Sequence, residues 1–349
     1  MEMAPATAIS VICIFIILLQ ILESDAKVSS IIVFGDSTVD SGNNNHIPTP
    51  LKSNFKPYGR DFDGGKPTGR FSNGRVPTDF LSEAFGLKKT IPAYLDPAFT
   101  ILDFATGVCF ASAGTGYDNL TSSVLSVIPL WKEVDYYKEY QIRLRSYLGI
   151  DKADEVMREA LYIISVGTND FLENYYLLPQ RSSQFTVEEF QKFLAGIARQ
   201  LIVQIYELGA RKIAITGLPP MGCLPLERTT NGGSCVDKYN GVAMDFNREL
   251  EGLVRDLNSR LSEIQLVLSA PYDIAYDIIQ NPHSYGFEHA AKACCGSGRF
   301  EMSYLCNKHN PFTCSDASKH VFWDSFHPTD KTNAIVADYL FTKFLAIFH

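Results

Sequence analysis

Several things are missing from this chain of 349 residues, and each absence removes a class of function. There is no run of Lys or Arg, and the formal net charge is −8, so nucleic acid is not an expected partner. No apolar stretch reaches the roughly 20 residues that a bilayer span needs. No Gly-x-Ser-x-Gly occurs, which removes the nucleophile elbow of the α/β-hydrolases. No two Cys have C-x2-C spacing, which argues against a zinc site. Asp36, Asp40 and the asparagines at 43 to 45 lack the spacing and closing Glu of an EF-hand loop, so calcium is not expected either. No metal or cofactor is anticipated. Internal repeats, low-complexity linkers and shifts of composition are also absent, which leaves no internal domain boundary.

What is present is an ordinary globular composition, 46 % hydrophobic and 20 % charged, enough for one large core or two small ones. Ile9 to Leu22 is apolar, with the length of a signal-peptide core, and Ser24-Asp25-Ala26 follows with small residues suited to cleavage. Residues 1–26 are therefore expected to be a removed signal peptide, and 27–349 one domain. The first eight residues carry Glu2 and no Lys or Arg, so a retained anchor is the alternative. Cysteine usage agrees with secretion. Cys13 leaves with the signal; Cys223, Cys235, Cys294, Cys295, Cys306 and Cys314 fall into two clusters and read as three disulfides of open connectivity. Cys109 is left over in an apolar setting that suits a buried free thiol. Asn119-Leu120-Thr121 is a glycosylation acceptor. The expected location is extracellular, with the cell wall as one destination. Nothing in the chain speaks to oligomeric state.

Apolar runs alternate with amphipathic ones. Ser30 to Phe34, Leu161 to Val166, Lys212 to Thr216 and Gln265 to Leu268 are short continuous apolar runs, the pattern of parallel strands covered on both faces. A further strand is expected near Asp103 to Phe110. Helical patterns run from Thr186 to Leu208, with a Thr186–Glu189 capping box and Gly209 as a stop, from Tyr239 to Leu261, and from Thr329 to Phe348, with Pro328 suited to the first turn. Such alternation predicts a doubly wound α/β sheet. Ser41 to Val76, rich in Gly, Pro and Asn, reads as a structured surface excursion, with part of a substrate wall as the alternative.

Four islands then point to chemistry: Gly35-Asp36-Ser37, Gly114 within Phe110 to Gly114, Gly167-Thr168-Asn169-Asp170, and Asp324-Ser325-Phe326-His327. Ligands of an open parallel sheet bind beyond the carboxyl ends of its strands, and three of the islands follow expected strands. A serine hydroxyl needs a base to take its proton. His327, three residues after Asp324, is the candidate base, and none of the other six His has an acid at that spacing. The N–H of Ser37, the N–H at Gly114 and the amide of Asn169 are candidate donors to an oxyanion. Taken singly the islands read as turns or a helix cap; taken in this order they spell a serine esterase site.

The same residues resemble the GDSL esterase/lipase family, and its plant branch, within the SGNH hydrolase superfamily. Val33-Phe34-Gly35-Asp36-Ser37 opens the likeness, and Asp40 to Asn45 and Pro67 to Arg75 continue it. Gly217 to Cys223 and Phe322 to Pro328 complete it over nearly the whole mature chain. The resemblance implies a three-layer α/β/α sandwich around a mostly parallel, flavodoxin-like sheet. It also implies hydrolysis of small-molecule or polymer acyl esters through Ser37, Asp324 and His327, with Ser37, Gly114 and Asn169 as the oxyanion hole. Thr38 departs from the leucine of the family's name, and Cys109 stands where an Asn is common. An acyltransferase with the same acyl-enzyme and an inactive secreted binding protein are the alternatives.

Overall fold

A computed structural model of the protein describes residues 28–348. The expected signal peptide, with Cys13, lies outside the described residues, as does His349. Five strands form the centre: β1 (Ile31–Gly35), β2 (Gly107–Cys109), β3 (Leu161–Ser165), β4 (Lys212–Thr216) and β5 (Gln265–Ser269). All pair in parallel, in the order β2-β1-β3-β4-β5. The longer helices are α1 (Pro77–Ala84), α2 (Leu130–Leu148), α3 (Ile150–Glu159), α4 (Val187–Glu207), α5 (Asp237–Arg260), α6 (Tyr272–Gln280) and α7 (Asp330–Leu345).

The strands are mostly apolar because both sheet faces are covered, with Lys212, Gln265 and the terminal Ser165, Thr216 and Ser269 as the polar positions. Side chains alternate across a strand. Ile32, Phe34, Tyr162, Ile164, Ile213 and Ile215 enter one core with α2, α4 and α5. Ile31, Val33, Leu161, Ile163 and Ala214 enter a second core with α1 and α7. The result is a three-layer α/β/α sandwich. The chain leaves β1 toward the face of α1 and β3 toward the face of α4, so the strand order reverses between β1 and β3, the place where ligands of such sheets bind.

Local chemistry explains the element ends. Thr186 and Glu189 close a reciprocal cap on α4, the Thr186 N–H donating to the Glu189 carboxylate at 2.8 Å and the Glu189 N–H to Thr186 Oγ1 at 3.2 Å. Two expectations need correction. Ile101–Phe104 coils into a helical turn whose Asp103 accepts from the Thr100 N–H, so the strand expected from Asp103 starts only at Gly107. Thr329 caps α7, so Pro328 precedes the cap instead of entering the first turn; it bridges back to Phe322.

Ser41 to Val76 holds its shape through buried polar contacts. The Arg70 fork donates to both oxygens of Asp79 on α1, at 2.7 and 2.8 Å, and to the Ser41 and Ile91 carbonyls. No helix among the described residues is long and apolar enough to cross a membrane.

Three disulfides form: Cys223–Cys235, Cys294–Cys314 and Cys295–Cys306. Cys109 is free and buried, and burial pushes its thiol up to about 12. Cys294 and Cys295 donate their N–H groups to the Phe322 and Trp323 carbonyls, so two bridges brace the segment just before Asp324. Loops closed by 11 to 20 residues are each stabilised by roughly 3 kcal/mol in the chain-entropy account. Reduction is therefore expected to lower the melting temperature by several degrees or more in a thermal scan. A midpoint indifferent to reductant would show that the bridges carry no stability.

Candidate active site

Ser37 is placed by the end of β1. Gly35 has φ 142°, and a Cβ there would lie 2.0 Å from the Ser165 carbonyl oxygen. Only glycine lets β1 and β3 meet so closely, with the Asp36 N–H donating to that oxygen at 2.9 Å. The chain then makes one tight turn, the N–H groups of Val39 and Asp40 both reaching the Asp36 carbonyl. Thr38 donates its N–H and its hydroxyl to the Asp36 carboxylate, at 2.9 and 2.6 Å. The residue that departs from the family's leucine thus fastens the turn holding Ser37.

Asp324 and His327 come from a loop closed by the Trp323 N–H on the His327 carbonyl, 2.7 Å. One Asp324 oxygen accepts from the N–H groups of Phe326 and His327, at 2.9 and 2.7 Å. The same oxygen lies 2.8 Å from His327 Nδ1, and His327 Nε2 lies 2.8 Å from Ser37 Oγ. A carboxylate only accepts, so the proton sits on Nδ1 and the Nε2 lone pair faces the serine hydroxyl. All three side chains are buried, with Asp324 at 0 %, His327 at 4 % and Ser37 at 5 % exposure.

Gly114 and Asn169 meet at the neighbouring strand ends. Gly114 has φ 89°, and a Cβ would lie 2.7 Å from Leu51 Cδ2. The Asn169 amide donates to the Thr115 carbonyl at 2.9 Å, next to Gly114. Ser112 N–H reaches the Gly35 carbonyl at 2.9 Å, and Ala113 N–H reaches the Asp40 carboxylate at 3.1 Å, tying this loop to the serine turn. The structure therefore joins Ser37, Asp324 and His327 in one chain of contacts, and links the Gly114 loop, which is fastened to the serine turn, to Asn169 through the Thr115 carbonyl. Asn119, the glycosylation acceptor, is exposed at the start of a short helix, while Thr121 of the same triplet is buried and donates to Asp170.

Sequence reasoning missed the residues that hold this rim. Glu133 on α2 accepts the Gly35 N–H at 2.9 Å. Asp170 accepts from the N–H groups of Tyr117 and Asp118. Tyr58 donates its hydroxyl to Asp324 at 2.6 Å across a separation of 266 residues. No local pattern announces such contacts. The Asn run is part of this framework too: Asn43 and Asn44 donate to the carbonyls of Cys109, Ala111 and Ala113.

A cavity of about 140 Å³ opens beside the serine turn, with Thr38 and His327 in its wall. It runs between the sheet and α7, where Thr332, Val336, Leu340 and Phe344 succeed one another at every fourth residue. Those four positions span about 18 Å of helix. Leu81 and Ile163 add to the apolar lining.

A parallel sheet ordered 2-1-3-4-5 with helices on both faces places the chain among flavodoxin-like α/β/α proteins. Within that class it belongs to the GDSL-like lipase/acylhydrolase family, whose model matches residues 31–340. A GDSL esterase/lipase of Arabidopsis thaliana is 64 % identical over 327 residues, 93 % of each chain. Another from the same plant is 58 % identical over 343 residues, 97 % of this chain and 98 % of its own. Among solved structures, a catalytic mutant of an acetylxylan esterase from Geobacillus stearothermophilus aligns over 92 % of this chain and 97 % of that one. Its TM-score is 0.41 and its identity 11 %.

Burial sets the charge state of the rim. It raises Asp36 and Asp40 to about 6 and Asp170 to about 7, and it raises Glu133 well above the ordinary range. Between about pH 4 and 7 the folded chain then binds protons that the unfolded chain has released, so stability falls as pH rises through that window. His320 opposes this, since burial and the nearby His289 lower it to about 4, but it is one group against four. Glu301, held at about 2 by hydrogen bonds that outweigh its burial, is ionised in both states above about pH 5 and drops out. Calorimetry is expected to find a higher melting temperature near pH 5 than near pH 7.5. A midpoint that climbs over this interval would mean that the rim carboxylates are already ionised in the fold.

Proposed function

We propose that the protein is a secreted carboxylic ester hydrolase working through an acyl-enzyme on Ser37. Membership of the family makes it an esterase of the lipase/acylhydrolase type. The observation that carries the mechanism is the continuous contact from Asp324 through His327 to Ser37, with links of 2.8 Å. The three disulfides support passage through an oxidising compartment.

His327 Nε2 takes the hydroxyl proton as Ser37 Oγ attacks the ester carbonyl carbon. The carbonyl π electrons move onto oxygen, where the Ser37 N–H, the Gly114 N–H and the Asn169 amide donate to the oxyanion. Asp324 stabilises the imidazolium so formed and keeps it aimed. Collapse breaks the bond to the alcohol, which leaves with the proton from His327. Water then attacks the acyl-serine by the same route and releases the carboxylic acid. The apolar cavity beside His327 suits an unbranched acyl chain as the acid portion.

On a short p-nitrophenyl ester, Ser37→Ala is expected to reduce turnover to background. Asp324→Asn is expected to leave the fold intact and lower kcat on the order of 10⁴-fold. Equal rates for wild type and Ser37→Ala would end the enzyme reading; an undiminished Asp324→Asn would reassign the orienting acid. For the chain-length reading, kcat/KM is expected to rise about fourfold per added methylene until the cavity fills. Leu340→Trp is expected to erase that rise while sparing acetate esters. A flat profile from acetate to palmitate esters would remove the cavity from the substrate site.

A further inference from the structure

We propose that Tyr58 is a positioning residue for the hydrolysis, acting through Asp324, and that the disulfide-braced loop around Ser303 fixes its proton toward that carboxylate. The inference rests on the Ser37 mechanism above and adds a fourth member to its hydrogen-bond chain.

The direction of the Tyr58 hydroxyl is forced by its neighbours. Its oxygen accepts from the Ser303 N–H at 2.9 Å, and it lies 2.6 Å from Asp324 Oδ2. A backbone N–H can only donate, and a carboxylate can only accept. The one phenolic hydrogen therefore points at Asp324. Burial raises the phenol well above its usual range, which keeps that hydrogen in place at any working pH.

Ser303 is held for this task from both sides. It has φ 49°, a left-handed conformation that a serine seldom adopts. Its hydroxyl donates to the Lys52 carbonyl at 2.8 Å and accepts from the Lys52 N–H at 3.1 Å. Its carbonyl accepts from the N–H of Cys306, which is bridged to Cys295. The Tyr58 ring is fully buried and meets Phe55, Phe71 and Trp323 edge-on, at 5.8, 5.8 and 6.1 Å between centroids. The ring cannot swing away, so the hydroxyl stays on Asp324.

The consequence is a division of labour between the two oxygens of Asp324. Oδ1 carries the loop N–H groups of Phe326 and His327 and the closer contact to His327 Nδ1. Oδ2 has Tyr58 and a longer contact, 3.0 Å, to Nδ1. With Tyr58 in place the imidazole stays on Oδ1 and Nε2 stays on the serine. Without it, Oδ2 competes for Nδ1 and the ring turns off line.

The test is a cycle of Tyr58→Phe, Asp324→Asn and the double variant, with Ser37→Ala as the reference for chemistry and Phe55→Leu as the packing control. Tyr58→Phe is expected to lower kcat on the order of 10- to 100-fold, the range for a hydrogen bond to a charged group, with KM unchanged. In the Asp324→Asn background the same change is expected to have no further effect, because the two act as a unit. The acid limb of its pH–rate profile is expected to move to higher pH, since an uncompensated carboxylate favours the imidazolium. Phe55→Leu, which loosens the ring without touching the hydroxyl, is expected to leave that profile in place. If Tyr58→Phe does not fold, a ring-fluorinated tyrosine at position 58 keeps the shape, changes only the donor strength, and is expected to move the same limb. Multiplicative losses in the cycle, or a pH–rate profile that neither replacement moves, overturn the assignment of Tyr58 alone. An active Ser37→Ala overturns the mechanism and this inference with it.

Discussion

The carboxylate of Asp40 fastens the reacting end of this molecule. One oxygen accepts from the N–H groups of Gly42 and Asn43, at 2.7 and 2.8 Å, and the other from Ala113. These donors belong to the segments that follow β1 and β2, so one fully buried side chain fixes the Ser37 turn against the Gly114 loop. Glu133 and Asp170 repeat the device, Glu133 gripping the N–H of Gly35, the last residue of β1, and Asp170 those of Tyr117 and Asp118 in the loop after β2. The reason is general. Where a parallel ladder stops, backbone donors and acceptors lose their partners, and burial makes each orphan costly. Short acidic and amide side chains fill that need at the rim. The same donors offset part of the cost of burying the carboxylates themselves.

A second layer of support lies behind Asp324. The Cys294–Cys314 and Cys295–Cys306 bridges tie together a segment that pairs by backbone contacts with Phe322 and Trp323. Tyr58 and Ser303 connect that segment to the Ser41–Val76 excursion. The excursion is therefore a back wall for the loop that carries Asp324 and His327, in addition to being surface.

The parts legible in the amino-acid order were those written in local patterns. Four strands announced themselves as short continuous apolar runs, because both faces of a parallel sheet are dry. The α4 cap was legible because Thr186 and Glu189 lie within one turn. By contrast α2 escaped notice, since its buried face uses Glu133, Tyr137, Tyr140 and Gln141, which break the apolar periodicity. The strand at β2 was misjudged because Thr100 and Asp103 form a helix start inside an apolar stretch. That Ser37, Asp324 and His327 come into contact was legible from residue types and from the expected strand ends. Tyr58 and Glu133 were invisible, because each acts across a separation that only the folded chain closes. The pairing of adjacent Cys294 and Cys295 was equally hidden: neighbours in sequence, they diverge to Cys314 and Cys306.

The hydroxyl of Ser37 and the imidazole of His327 touch across a separation of 290 positions. During synthesis, the serine emerges early and remains without its imidazole partner until almost the last helix has left the ribosome. A nascent chain that stops short of residue 327 cannot close this contact, so the pair exists only once synthesis is nearly complete.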